Sequence, residues 1–184
     1  MRGCYQRTIV IGCPGAGKSI LSRQISNALD LPLYHLDMIW HKSDRTTISK
    51  EEFDVKLDEI LEKDTWVIDG NYQRTLEKRI AAATAIVFLD LPTDLCLKNA
   101  KDRVGKPRDD MPWIEESLNP EFEKLIREFQ DTKRPQIYEL LDKYNDGTRI
   151  IRIFKTREER KEFVLKDLMS PHLPTRPQIP NIFH

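Results

Sequence analysis

The chain has 184 residues, enough for one domain with a sizeable core, and its Lys+Arg 30 and Asp+Glu 30 cancel to a formal net charge of zero. That balance gives no support to DNA as a partner, because a dedicated nucleic-acid binder carries a strong basic bias. Cys4, Cys13 and Cys96 are few and in no metal-ligand spacing, which argues against a disulfide framework and for a reducing, cytoplasmic setting; no apolar run approaches the ~20 residues of a membrane span, and no signal peptide is visible.

After a short polar lead-in, Thr8-Ile9-Val10-Ile11 is a β-branched apolar run that reads as a buried strand. Gly12 to Ser19 follows as a glycine-rich turn. Ile20, Leu21, Ile25 and Leu29 then recur at helical spacing, and Pro32 ends that helix. Leu33 to Asp37 reads as a second strand, with Asp37 at its carboxyl end and His35 two residues earlier on the same face. Ser49-Lys50-Glu51-Glu52 is a capping box opening a helix whose Phe53, Leu57, Ile60 and Leu61 share one face. Thr65 to Asp69 is a third strand, Gly70-Asn71-Tyr72 a turn, Leu76 to Ala83 a short helix, and Ala85 to Asp90 a fourth strand. Another helix starts at Pro92-Thr93.

Periodicity weakens from Lys101 to Asn119, an excursion of the length that is usually functional. Asn119-Pro120 caps a long helical tract interrupted at Pro135. Arg149 to Ile153 is the last strand, and Thr156-Arg157-Glu158-Glu159 a second capping box for a helix to about Leu168. The expected organisation is one kinase-like domain over residues 1–170, with a lid at about 101–134. Residues 171–184, rich in proline and without acids, form an extended or disordered tail. Five strands separated by helices predict an α/β/α sandwich around a five-stranded parallel sheet, whose ligands bind at the carboxyl ends of the strands.

Gly12-Cys13-Pro14-Gly15-Ala16-Gly17-Lys18-Ser19 fits G-x-x-x-x-G-K-[ST] in the strand–turn–helix context that the P-loop pattern requires. Gly12, Pro14, Gly15, Ala16, Gly17, Lys18, Ser19 and Ile20 are therefore the expected ATP contacts. Backbone N–H groups and a helix N-terminus would cradle the polyphosphate, Lys18 would reach the β- and γ-phosphates, and Ser19 would ligate Mg²⁺. Asp69 ends an apolar strand and is the candidate second Mg²⁺ ligand, through water. Asp37, His35 and Trp40 are candidates for the acceptor, with Asp37 to hold or deprotonate a hydroxyl. Asn71 and Arg74 follow the third strand, and Arg74 would clamp an acceptor phosphate or carboxylate. Arg103, Arg108, Arg127 and Arg134 are the candidate lid cations for the transferring phosphoryl group.

The early P-loop, the Asp69-Gly70 turn with a nearby arginine and the basic excursion after the fourth strand resemble adenylate kinase and its small-molecule kinase relatives. Tyr34-His35-Leu36-Asp37, the run Trp66 to Thr75, Val87 to Pro92 and Lys133-Arg134-Pro135 more closely resemble the bacterial DNA topology modulation protein, or FlaR-like, family, over roughly Arg7 to Leu168. The resemblance implies an adenylate kinase-like fold, ATP and Mg²⁺, and its family name implies an effect on DNA topology. The stretch Tyr34 to Trp40 also resembles shikimate-type kinases, where an aspartate after the second strand holds substrate hydroxyls. The expected activity is transfer of the ATP γ-phosphate to a small molecule, a nucleotide among the candidates. A nucleotide-dependent regulator of DNA topology and an NTP hydrolase are the alternatives. The identity of the acceptor and the oligomeric state are not readable from the residues.

Overall fold

A computed structural model describes residues 2–168. The expected tail, 171–184, lies outside the described residues. Strands β1 (Arg7–Gly12), β2 (Leu33–His35), β3 (Trp66–Asp69), β4 (Ala85–Leu89) and β5 (Ile150–Phe154) form one parallel sheet in the order β2-β3-β1-β4-β5. Helices α1 (Lys18–Leu29), α2 (Leu36–Trp40), α3 (Lys50–Leu61), α4 (Gln73–Ala82), α5 (Thr93–Asp102), α6 (Pro120–Thr132), α7 (Arg134–Lys143) and α8 (Arg157–Glu162) connect and flank it. This is the expected three-layer P-loop NTPase arrangement. Among the described residues no helix is long and apolar enough to cross a membrane.

The uninterrupted apolar runs dictate the middle of the sheet. Ile9, Val10 and Ile11 of β1 and every residue of β4 are buried, as strands covered on both faces must be. Each such aliphatic side chain contributes on the order of 1.5–3 kcal/mol. Parallel pairing sets Val10 and His35 each opposite Asp69, and Gly12 opposite Leu89. The carboxyl ends of β1, β2 and β3 thus lie side by side.

The second strand is shorter than its pattern suggests. It ends at His35, and Leu36 to Trp40 coil into α2. Leu36 is fully buried against Gly70, where an added Cβ would meet its own Cβ at 2.9 Å. That contact turns the chain one residue after His35, so Asp37 sits in the first turn of a helix and does not share a strand face with His35.

The excursion is irregular from Arg103 to Asn119 only. α6 anchors through Ile126 and Phe129, both buried in the core, so that half of the expected lid packs on the body. Asn119 caps α6 with its side chain, and Ser49 and Thr156 cap α3 and α8 as their sequences predict. After Glu162 the chain continues as a π-helical turn, Phe163–Leu168, whose Phe163 ring packs on Tyr5 and Phe154.

Candidate active site

The strand ends open onto a cleft of about 1150 Å³, more room than the ~300–1000 Å³ of an ordinary single-ligand pocket. Its floor is the phosphate loop. Gly15 and Gly17 take φ values of 83° and 89°, and a Cβ on Gly15 would fall 2.2 Å from the Cys96 carbonyl oxygen of α5. Glycine is therefore required there by strain and by space. No side chain caps α1, so the N–H groups of its first turn point unclaimed into the cleft. Lys18 Nζ donates to the carbonyls of Gly12 and Cys13 at 3.1 and 3.2 Å, folded back along the loop it would serve. A loop that excludes Cβ atoms, exposes N–H groups and carries a lysine fits a polyphosphate.

Asp69 is buried at the end of β3. Its Oδ2 contacts His35 Nδ1 at 2.9 Å, and its Oδ1 is a buried oxygen with no partner among the described residues. A buried carboxylate oxygen left open beside Ser19 and Lys18, with which it lines one cleft, suits a hydrated Mg²⁺. His35 thus supports Asp69, and the expected His35–Asp37 pair does not form. Asn71 is likewise turned to the loop, its Oδ1 accepting from the Gly12 N–H at 3.1 Å.

Asp37 lines the same cleft, within electrostatic reach of Lys18 and Asp69, and accepts a hydrogen bond from the Tyr72 hydroxyl at 2.9 Å. Burial pushes the Asp37 carboxyl up, and the Tyr72 bond only partly offsets it. Tyr72 itself is pushed up by burial and by Asp37. Tyr72 is held at φ 30°, an unusual conformation for a residue with a side chain. The agent is Arg79, a fully buried guanidinium donating to the carbonyls of Gly70 at 2.8 Å, Tyr72 at 3.1 Å and Asn71. Burial lowers its pKa to about 9. Trp113, edge-on against His41, lines the cleft together with it.

The loop between α5 and α6 crosses above. Asp110 accepts from the Ser19 hydroxyl and, bidentately, from Arg108 at 2.9 and 2.7 Å. Burial opposes ionisation of Asp110, but the bonds from Arg108 and Ser19 outweigh it and hold the carboxyl well below its ordinary range. Arg108 also bonds Glu115 at 2.8 Å, and Arg103 pairs with the same carboxylate at 3.3 Å.

Gly12 and His35 do not themselves line the cleft, and four further sequence candidates lie elsewhere. Arg74 makes a bidentate pair with Asp54 of α3 at the surface. Arg127 pairs with Glu123 one turn back on α6. Arg134 is locked bidentately onto Asp90, which also accepts from Tyr138. Trp40 packs against Phe53 and Tyr72 and supports the acceptor wall from behind. None of the four lines the cleft, whereas Pro14 to Ile20, Asp37, Asp69, Asn71, Arg103 and Arg108 do. Reasoning from the sequence missed Tyr72, His41, Asp110, Arg79 and the α8 cations Arg157 and Arg160. Only Arg79 left a local signal: it falls in the buried stripe Thr75, Leu76, Arg79, Ile80 of α4.

No protein-family model matches the sequence. No curated protein matches it either. Among solved structures it is similar to shikimate kinase from Acinetobacter baumannii in complex with shikimate, at 17% identity and a TM-score of 0.59, covering 90% of this chain and 94% of that one. It is also similar to shikimate kinase from Bacteroides thetaiotaomicron, at 20% identity, TM-score 0.54, and 86% and 94% coverage. A gluconokinase from Sinorhizobium meliloti follows at 14% identity, TM-score 0.50, and 88% and 92% coverage. These likenesses show the fold.

Proposed function

We propose that the chain is a cytoplasmic, Mg²⁺-dependent kinase that moves the γ-phosphoryl group of ATP to a hydroxyl of a small molecule held at Asp37. The observation that carries this reading is one cleft lined by both a phosphate loop and a half-buried carboxylate, Asp37, bonded to Tyr72. The fold neighbours named as small-molecule kinases support it. Family membership in the FlaR-like group is part of the same proposal, supported by the segments that resemble it.

The residues divide the work by chemistry. Loop N–H groups and the first turn of α1 hold the polyphosphate, and Lys18 exchanges the Gly12 and Cys13 carbonyls for phosphate oxygens. Ser19 and, through water, the open Oδ1 of Asp69 would hold Mg²⁺, which when bound neutralises charge on the β- and γ-oxygens. Asp37 accepts the hydroxyl proton as the acceptor oxygen bonds to phosphorus and ADP leaves. Its burial raises its basicity for that step. Tyr72 orients the carboxylate, and Arg103 and Arg108 stand over the transferring group on the loop that excludes water.

The test is a transfer screen with labelled ATP, Mg²⁺ and panels of nucleosides, nucleoside monophosphates, polyols and hydroxy acids, with Lys18→Ala as control. A labelled product lost in the variant supports the kinase. Release of inorganic phosphate alone would favour the NTP hydrolase, and ATP binding without turnover would favour the nucleotide-dependent regulator of DNA topology. Full turnover by Lys18→Ala would remove the kinase reading.

A further inference from the structure

We propose that Arg160 of α8 is a nucleotide-binding residue that grips the polyphosphate beside Gly17; the inference rests on the kinase reading of the same cleft. Arg157, Arg160 and Lys161 stand at i, i+3 and i+4, so they share one helical face, and all three line the cleft. Like charges so spaced destabilise a short helix unless an anion lies among them.

Four of the other cleft arginines have their anions. Arg103 and Arg108 are paired with Glu115, Arg108 also with Asp110, Arg45 with Glu116 and Arg23 with Asp109. Arg160 has no hydrogen bond or ion pair among the described residues. Burial and the adjacent Arg157 both work against its charge. The acids of its own helix do not serve it: Glu159 caps the backbone of Lys155 and Thr156, Glu162 bonds Lys166, and Glu158 is two residues away, on a different face.

Geometry aims Arg160 at the phosphate loop. A Cβ on Gly17 would lie 2.6 Å from its Nη1, so the guanidinium rests on the residue whose N–H opens the anion cradle. Arg157 is held by Asn99, which in turn donates to the Gly15 carbonyl at 2.8 Å. The bland alternative is a solvated basic face, but a half-buried guanidinium pressed on Gly17 is not solvated like one. A polyphosphate seated in the loop supplies the missing anion, and Gly17 is needed twice over, for its backbone angle and for the arginine above it.

Binding of adenosine, ADP and ATP to the wild-type chain, Arg160→Met and Arg160→Lys tests this. The expected result is about 10- to 100-fold weaker ADP and ATP binding in Arg160→Met, unchanged adenosine binding, and partial recovery in Arg160→Lys. Wild-type affinities for ADP and ATP in Arg160→Met would overturn the inference alone. An equal loss for adenosine and ATP would also overturn it, because a structural defect does not discriminate by phosphate. A wild-type chain that binds neither ADP nor ATP would overturn the kinase reading and this inference together. Should Arg160→Met fail to fold by circular dichroism, Arg160→Gln is read on the same terms.

Discussion

Replacing Arg79 by methionine removes the one side chain that ties together the carbonyls of Gly70, Asn71 and Tyr72. Methionine keeps much of the volume and offers no donor. Each carbonyl left unpaired in a buried place costs about 1–3 kcal/mol, so the loss before compensation is roughly 3–9 kcal/mol. Relief of burying a charge, visible in the fall of the Arg79 pKa to about 9, offsets part of this. A net loss equal to about one such carbonyl, ~1–3 kcal/mol, lowers the melting temperature of a chain of this size by about 2–12 °C. The variant should still fold, since a domain has roughly 5–15 kcal/mol in hand. Its function should suffer more than its fold. Tyr72, released from φ 30°, would move its hydroxyl off Asp37, and misplacement by about 1 Å at an acceptor site costs on the order of 100-fold. The assays are thermal unfolding by circular dichroism and ATP turnover well below the new midpoint. A midpoint within about 2 °C of wild type together with full turnover would refute the account of the wall.

Asp37→Asn should lose about 10²–10⁴ in kcat with its acceptor and gain stability at neutral pH. Burial raises the folded pKa of Asp37, so the ionised side chain weakens the fold above that pKa and not below the ordinary carboxylate range. Urea midpoints should show the advantage of the variant growing from pH 4.5 to pH 8; a constant gap sinks the argument. Asp110→Asn has the opposite sign. Its folded pKa is depressed, so the wild-type advantage should be complete above pH ~4 and vanish as pH falls through the depressed pKa. A wild-type advantage that persisted in strong acid would refute it. Gly15→Ala adds about 1–2 kcal/mol of backbone strain to a clash with the Cys96 carbonyl at 2.2 Å. It should abolish ATP binding measured by titration calorimetry, and retained binding would show that the loop can move off α5.

The middle of the sheet was readable because β1, β3 and β4 carry contiguous apolar runs, and the phosphate loop because its whole chemistry is eight consecutive residues. The acceptor wall is legible in sequence at Asp37 and its tryptophans, but not at Tyr72 and His41, which join the same cleft from separate segments. Arg74, Arg127 and Arg134 look like free cations in sequence. Their partners Asp54 and Asp90 lie 20 and 44 residues away, and Glu123 is one of many acids in its neighbourhood. Periodicity cannot say which charge a carboxylate will claim. The His35–Asp37 face failed for a packing reason, the burial of Leu36 under Gly70, which converts a strand end into a helix start. Arg160 is 143 positions from Gly17 and meets it only because β4 and β5 continue the sheet on that side of β1.

The bond from Ser19 to Asp110 makes the loop 103–119 a rival of the ligand as well as its cover. In the proposed kinase the hydroxyl wanted by Mg²⁺ is already committed to a carboxylate of the same chain, and that carboxylate is reinforced by Arg108. Nucleotide must therefore displace an intramolecular competitor whose local concentration never dilutes. The apparent affinity is then the intrinsic affinity scaled by the fraction of molecules in which Ser19 is free. Any acceptor that draws Arg108 away from Asp110 would raise that fraction, and ATP and acceptor would bind cooperatively without touching one another.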